Sequence, residues 1–194
     1  MSKPDRIAII GISAGGPPTL RIMLPTISKV DNPIIIVQHI PYSFTDVLIQ
    51  NLQPLVNTRI IKLDNYTKIE RNAIYICPGG HHSIFKLLRN KIQSRIYLPE
   101  KEDIVAPSID KSMISIAELY GESAMGIIMT GMTGDGVEGI KTIKKMGGTT
   151  IAQNENSSII FGMPRRAIET GLIDHICDIN GIARRIDQFI NKGD

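Results

Sequence analysis

The chain has 194 residues, of which 42% are hydrophobic and 21% charged, a composition typical of a folded globular protein. This composition excludes disordered, collagen-like and coiled-coil proteins, and the net charge of +3 is too small to indicate a nucleic-acid or membrane partner by itself. Cys77 and Cys177 match no zinc or redox motif, and we expect both to be buried free thiols. We expect one cytoplasmic domain over residues 1–194, with no membrane-spanning segment.

Five short runs rich in β-branched residues predict strands. Their apolar residues are continuous and do not alternate with polar ones, which is typical of strands that a parallel sheet buries on both faces. In chain order, the predicted strands are Arg6–Ile12, Pro33–Ile40, Ala73–Cys77, Ser123–Thr130 and Thr149–Gln153.

Apolar residues at helical spacing predict helices around these strands. The predicted helices contain Leu48 with Leu52 and Leu55, residues 109–120, Val137–Met146 and residues 182–190. Ser83–Leu98 breaks this pattern and predicts an antiparallel hairpin that turns at residues 89–91. The element order predicts an α/β fold: a doubly wound, mostly parallel sheet with helices on both faces and an inserted antiparallel hairpin.

Ser13, His39 and Asp135 each follow a predicted strand, and the carboxyl ends of parallel strands share one edge of the sheet. A serine hydroxyl needs a base within hydrogen-bond reach, and imidazole is suitable because its ordinary pKa lies near neutrality. A carboxylate on the other ring nitrogen fixes the tautomer and stabilises the imidazolium. The glycines of residues 11–16 allow a tight turn that exposes the hydroxyl and frees backbone N–H groups for an oxyanion.

Each of the three residues also has a purely structural interpretation. Ser13 could cap the helix that follows it, and His39 could be a strand-end histidine before a proline turn. Asp135 and Glu138 together resemble a capping box that opens the helix over Val137–Met146. The functional interpretation depends on all three residues lying at the same edge.

The glycine loop also allows two other interpretations. It resembles a degraded dinucleotide-binding fingerprint, but Gln38 and His39 stand where such a site needs an acidic residue, so a nucleotide-binding module remains the alternative. Residues 11–15 match the G-x-S-x-G motif of α/β-hydrolases, whose catalytic residues follow the order serine, acid, histidine. The order here is serine, histidine, aspartate, which excludes that fold.

Several motifs occur together over nearly the whole chain, and their order is characteristic. They are Ile9–Pro17, Val37–Pro41, Pro107–Asp110, Thr130–Gly136, Ile151–Glu155 and Phe161–Pro164. From about residue 6 to about residue 186, the sequence resembles the catalytic domain of the chemotaxis protein-glutamate methylesterase family, CheB.

This resemblance implies hydrolysis of glutamyl methyl esters on the cytoplasmic helices of chemoreceptors, or on another methyl-esterified protein, with release of methanol. It also implies that receptor glutamines can be deamidated, and that no metal or organic cofactor is needed. By motif, Ser13 is the nucleophile, His39 the general base and acid, and Asp135 the orienting carboxylate. The oxyanion region corresponds to Ala14 and Met132. A catalytically idle protein that binds receptors is a further alternative.

The sequence departs from the family pattern in four respects, one of which is Thr133-Gly134 before Asp135, where Gly-x is commoner. Family members typically carry a phospho-accepting receiver domain before the esterase, whereas this chain begins almost directly on the first strand, so we expect a separate response-regulator partner. Ala14 stands where threonine is common, and residues 104–106 lack the basic residues often found there. A cation near the site would help to dock acidic receptor helices, so this last departure bears on substrate preference.

Two other features fall outside the proposed site. The adjacent histidines His81 and His82 are expected to have a loop role, because neighbouring histidines rarely chelate one metal. The predicted hairpin is basic, and its charged side chains are expected to form a solvated face; they are Lys86, Arg89, Lys91 and Arg95.

Overall fold

A computed structural model describes residues 4–191 of the chain. Within this range the strands are β1 (Ile7–Ile12), β2 (Ile34–Gln38), β3 (Arg59–Lys62), β4 (Ala73–Ile76), β5 (His82–Leu88), β6 (Lys91–Tyr97), β7 (Ala124–Ile128), β8 (Thr149–Gln153) and β9 (His175–Cys177). The α-helices are α1 (Gly16–Met23), α2 (Thr45–Leu52), α3 (Ile109–Tyr120), α4 (Val137–Lys145), α5 (Gly162–Glu169) and α6 (Ile179–Ile190).

Seven of these strands form one parallel sheet in the order β3-β4-β2-β1-β7-β8-β9. The chain builds outward from β1 on one side and returns to add β7, β8 and β9 on the other. The topological switch point therefore lies at β1, and the loops after β2, β1 and β7 lie next to one another. Ligands of open α/β sheets bind at this position.

Two apolar cores cover the two faces of the sheet. Along β1, Ile7 and Ile9 pack in the core that includes α3, α4 and α5, whereas Ile10 and Ile12 pack in the core that includes α1, α2 and α6. All six residues of β1 are buried, which explains why the central strand reads as a continuous apolar run. The predicted doubly wound α/β fold is confirmed.

The inserted hairpin is a separate two-stranded antiparallel sheet formed by β5 and β6. Its two-residue turn places Arg89 and Asn90 at φ values of 50° and 61°, a geometry that matches the right-handed twist of hairpin strands. Phe85 and Ile92 attach the hairpin to the core that contains α3. Its basic side chains Lys86, Arg89 and Lys91 are exposed, as expected of a solvated face, whereas Arg95 is partly buried and its guanidinium lies 3.8 Å from the centre of the Tyr66 ring.

Some elements and contacts differ from the sequence-based expectations. The edge strands β3 and β9 were not predicted, because they are short and only partly buried and therefore lack a long apolar run. Leu55 lies beyond α2, in a single 3-10 turn. Cys77 is buried, but Cys177 is only partly buried. Within residues 4–191, none of the helices has the length and apolar character needed to cross a membrane.

Candidate active site

Ser13 lies in the turn between β1 and α1, and its backbone is held on both sides. Its N–H donates to the Thr130 carbonyl at 2.9 Å, and its carbonyl accepts from Gly16 N–H at 2.8 Å and Gln38 Nε2 at 2.9 Å. Gly15 has φ +80°, and an added Cβ would lie 2.7 Å from Ile159 Cβ, so both conformation and space require glycine. Ser13 makes no side-chain cap to α1, so the cap interpretation is wrong.

His39 joins the serine to the aspartate. Its Nδ1 lies 3.1 Å from Ser13 Oγ, and its Nε2 lies 2.8 Å from Asp135 Oδ2. Because the carboxylate accepts from Nε2–H, Nδ1 carries the lone pair and can accept the serine proton. The His39 and Asp135 side chains are only 10% and 8% exposed. The ring nitrogens have the opposite assignment to that of trypsin-type serine proteases, where Nε2 faces the serine.

Asp135 lies at the amino end of α3. Its Oδ2 accepts from Ile109 N–H at 2.6 Å, and its Oδ1 accepts from Asp110 N–H at 3.0 Å and Ser108 Oγ at 3.1 Å. Burial disfavours its charge, but the His39 hydrogen bond and these backbone donors outweigh burial, so the pKa of Asp135 is lowered. The carboxylate therefore stays ionised beside His39.

The expectation that Asp135 and Glu138 form a capping box for α4 is wrong, because Asp135 caps a different helix. The N-cap of α4 is Gly136, which has no side-chain cap, and the Asp135 carboxylate binds the first turn of α3 instead. Asp110 of α3 makes the reciprocal contact, accepting from Gly139 N–H of α4 at 2.7 Å. The first turn of α3 thus donates to the Asp135 carboxylate, and the first turn of α4 donates to the Asp110 carboxylate. This exchange places Asp135 between α3 and His39.

Asp110 is a second carboxyl group close to the site, and its surroundings raise its pKa, whereas those of Asp135 lower the pKa of that residue. Burial and the nearby charge of Asp135 raise the pKa of Asp110 to about 6, against the stabilising Gly139 hydrogen bond. Two neighbouring carboxyl groups thus have pKa values displaced in opposite directions, a pattern that marks candidate functional sites.

Ala14 and Met132 are the candidate oxyanion donors, and they flank the serine turn. Within residues 4–191, neither of their backbone N–H groups donates to a protein acceptor, which leaves both available to a ligand. Thr130 Oγ1 donates to the Ala14 carbonyl at 2.9 Å and accepts from Ile160 N–H at 2.9 Å, so it connects the loops on either side. Met132 is 68% exposed, as a rim residue would be.

A cleft of about 450 Å³ opens beside Asp135. Its lining includes Ile104, Val105, Asp110 and Arg166. Arg166 is exposed, and it forms no ion pair with a carboxylate in the described part of the chain. It supplies a cation near the site, although residues 104–106 contain none.

Sequence reasoning missed the functional contacts of Gln38. This buried side chain donates from Nε2 to the carbonyl groups of Ser13 at 2.9 Å and His39 at 3.1 Å, which ties the two loops together. Its position at the end of β2 was the available signal, because a buried amide there must find partners. Gln38 also occupies the place of the acidic residue in dinucleotide sites, so the nucleotide interpretation is not supported. Residues 4–191 contain no cluster of three or more ligating side chains suited to a metal ion.

Comparison with known proteins gives consistent results. A family model for the CheB methylesterase matches residues 8–186. The chain is 39% identical over 190 residues to a probable protein-glutamate methylesterase of Borreliella burgdorferi, covering 98% of this chain and 50% of that protein. It is 34% identical over 187 residues to a protein-glutamate methylesterase/protein-glutamine glutaminase of Archaeoglobus fulgidus, covering 96% and 54% respectively.

A solved structure is also similar. The CheB methylesterase catalytic domain of Thermotoga maritima superposes with a TM-score of 0.90 at 30% sequence identity, covering 94% of this chain and 97% of that one. The chain spans about half the length of the curated relatives it matches.

Proposed function

Because the chain belongs to the CheB methylesterase family, we propose that it hydrolyses glutamate methyl esters on the cytoplasmic parts of chemoreceptors. The observation that carries this proposal is the position of His39, whose two ring nitrogens contact Ser13 Oγ and Asp135 Oδ2 at 3.1 and 2.8 Å. This geometry is that of a nucleophile, its base and an orienting carboxylate.

In the proposed reaction, Ser13 Oγ attacks the ester carbonyl carbon while His39 Nδ1 takes the hydroxyl proton. The Ala14 and Met132 N–H groups stabilise the oxyanion of the tetrahedral intermediate. The intermediate collapses, the C–OCH₃ bond breaks, and the imidazolium returns its proton to the departing methoxide as methanol. Water, deprotonated by His39 Nδ1, then attacks the glutamyl–Ser13 ester; the acyl–Oγ bond breaks, glutamate is released, and the imidazolium returns its proton to Ser13 Oγ. Asp135 stabilises each imidazolium without accepting the proton.

The proposal extends to location, a second substrate and a regulator. The cytoplasmic receptor tails imply a reaction in the cytoplasm. Relatives named protein-glutamate methylesterase/protein-glutamine glutaminase support deamidation of receptor glutamines by the same acyl-enzyme route. Control by a separate response regulator is tested by adding a phosphorylated receiver-domain protein to the assay and measuring the rate of methanol release.

The function is tested by measuring methanol release from a receptor cytoplasmic fragment methylated with radiolabelled methyl groups. S13A is expected to lose activity by at least about 10³-fold, because no other group can form the acyl-enzyme. The matched control is S28A, since exposed Ser28 lies in the loop that leads into β2, on the opposite edge of the sheet. Its activity should equal that of the wild type.

A receptor-binding protein without activity makes a different prediction. It would bind the methylated fragment stably and release no methanol, with the wild type and S13A indistinguishable. That result would reject the esterase proposal.

A further inference from the structure

We propose that His82, a buried histidine outside the Ser13–His39–Asp135 group, is a positioning residue that sets the location of Asp135 through Ser108. The inference rests on the proposed esterase function. It concerns a residue that was expected to have a loop role, whereas the structure places it as the first residue of β5, with no exposed surface. A fully buried imidazole needs polar partners, and those partners lead to the active site.

The first partner of His82 is the backbone of Ser108. The Ser108 N–H donates to His82 Nδ1 at 3.1 Å in a buried hydrogen bond. Ser108 is the N-cap of α3, and its hydroxyl oxygen accepts from Lys111 N–H at 3.2 Å. His82 therefore holds the residue at which α3 begins.

The residues that start α3 also hold Asp135. Ser108 Oγ, Ile109 N–H and Asp110 N–H donate to the carboxylate at 3.1, 2.6 and 3.0 Å. All three donors belong to residues 108–110, and the amide that donates to His82 is that of Ser108. His39 is the remaining partner of this carboxylate, so a displacement of the α3 start changes the distance or angle between Asp135 and His39.

The other side of the His82 ring faces a charged pair. Asp103 Oδ2 lies 2.8 Å from Nε2 but is not aligned as a hydrogen-bond acceptor, and Asp103 Oδ1 accepts from Lys111 Nζ at 2.6 Å. The ammonium of Lys111 and the hydrogen bond from Glu100 N–H lower the pKa of Asp103, which keeps it ionised. Because Lys111 belongs to α3, the His82 ring has a hydrogen bond from the start of that helix at Nδ1 and faces the Asp103–Lys111 ion pair at Nε2.

Loss of the acceptor at His82 Nδ1 should displace the backbone at the start of α3. A buried N–H without an acceptor is unfavourable, which favours a shift of the Ser108 backbone toward a new partner. A misplacement of about 1 Å in a catalytic site can lower the rate by about 10²-fold. The expected effect is on the chemical step, since His82 is fully buried and does not line the cleft.

The test compares H82L with H82N. Leucine fills the space without an acceptor, whereas the asparagine carbonyl lies near the position of Nδ1 and can accept the Ser108 N–H. We expect kcat for methanol release to fall at least about 10-fold in H82L with KM changed less than twofold, and H82N to recover most of the loss. The matched controls are H81L and H81N at the adjacent, partly exposed histidine, which should stay within twofold of the wild type.

A spectroscopic readout separates this proposal from the proposed function. The His39 Nε2–H proton, hydrogen-bonded to Asp135, should give a downfield NMR resonance that H82L shifts or loses and H82N retains. This resonance requires no substrate, so it tests positioning even if the wild type releases no methanol, a result that would reject the function alone.

The proposal is overturned if folded H82L keeps the wild-type kcat and resonance, or if H82N and H82L lose activity equally. Should H82L fail to fold, S108A and S108T take its place, because alanine removes the hydroxyl that contacts Asp135 and caps α3, whereas threonine retains it. S108A should then lower kcat with KM unchanged, and S108T should restore it. An unaltered kcat and resonance in S108A would refute the route through Ser108.

Discussion

Asp110 and Asp135 are neighbouring carboxyl groups whose surroundings set different protonation states. Asp135 has donors on both oxygens and a lowered pKa, whereas burial and the charge of Asp135 raise the pKa of Asp110 to about 6. Asp135 is thereby kept charged beside His39. Ionisation of Asp110 costs free energy, because the charge of Asp135 lies nearby. This cost should appear as a dependence of stability on pH.

Substitution of Asp110 by asparagine tests this dependence. In the wild type the native state retains the Asp110 proton up to a pH of about 6, whereas the unfolded chain releases it near its ordinary pKa of 3.8. Stability from this group is therefore present at low pH and is lost as pH rises from about 4 to about 6. Asparagine keeps an acceptor for Gly139 N–H and has no such loss.

We expect D110N to be more stable than the wild type at pH 8 by about 1 kcal/mol, well below the full value of the pKa shift because solvent partly screens the group. The difference should shrink toward pH 4. Thermal unfolding at both pH values measures it, and a D110N protein that gains stability over the wild type only at low pH would contradict the assignment.

At the scale of elements, α3 and α4 form one unit with the loop that contains Asp135. The two helices exchange capping carboxylates, and they also approach closely at Gly139, where an added Cβ would lie 2.6 Å from Met113 Cβ. Close approach of these helices keeps Asp135, two residues before α4, within reach of the amino end of α3.

Substitution of Gly139 by alanine should therefore destabilise the protein, although glycine-to-alanine changes inside helices usually stabilise by about 0.5–1 kcal/mol. The collision with Met113 is expected to cost about 1–3 kcal/mol. The measurement is a double-mutant cycle with M113G in urea unfolding, because alanine would retain the Met113 Cβ that lies 2.6 Å away. The double variant should lose less stability than the sum of the two single variants; simple additivity would show that the two side chains do not collide.

At the scale of the whole molecule, the carboxyl and amino edges of the sheet carry different groups of side chains. The carboxyl edge carries Ser13, His39 and Asp135, whereas the amino edge is held together by Asn32, which is 3% exposed. Its Oδ1 accepts from the N–H groups of Asp5 and Arg6 at 3.1 and 3.3 Å, and its Nδ2 donates to the Ile190 carbonyl at 2.8 Å. One side chain thus joins the approach to β1, the approach to β2 and the end of α6.

N32A should accordingly separate stability from activity. It leaves three backbone groups without their partner, with an expected loss of about 2–4 kcal/mol and a fall in Tm of roughly 4–12 °C. At a temperature where the variant is folded, kcat and KM for methyl-ester hydrolysis should match the wild type. A large fall in kcat would show that the amino edge also shapes the site.

Much of the fold was readable from local sequence. The run over Thr149–Gln153 coincides with β8, and the apolar repeat over residues 109–120 coincides with α3, because central strands and amphipathic helices leave a hydrophobic pattern. The short edge strands β3 and β9 leave none and were missed. The family resemblance, confirmed by the match over residues 8–186, came from motifs and not from this periodicity.

The sequence by itself determined that Ser13, His39 and Asp135 lie at one edge of the sheet, because the carboxyl ends of parallel strands share that edge. Only the tertiary structure decided that Asp135 binds the amino end of α3, that Nδ1 of His39 faces the serine, and that His82 lies behind Ser108. These contacts join residues 26 to 96 positions apart. Local sequence sets the backbone course of each segment, but side-chain partners follow from how the segments pack against one another.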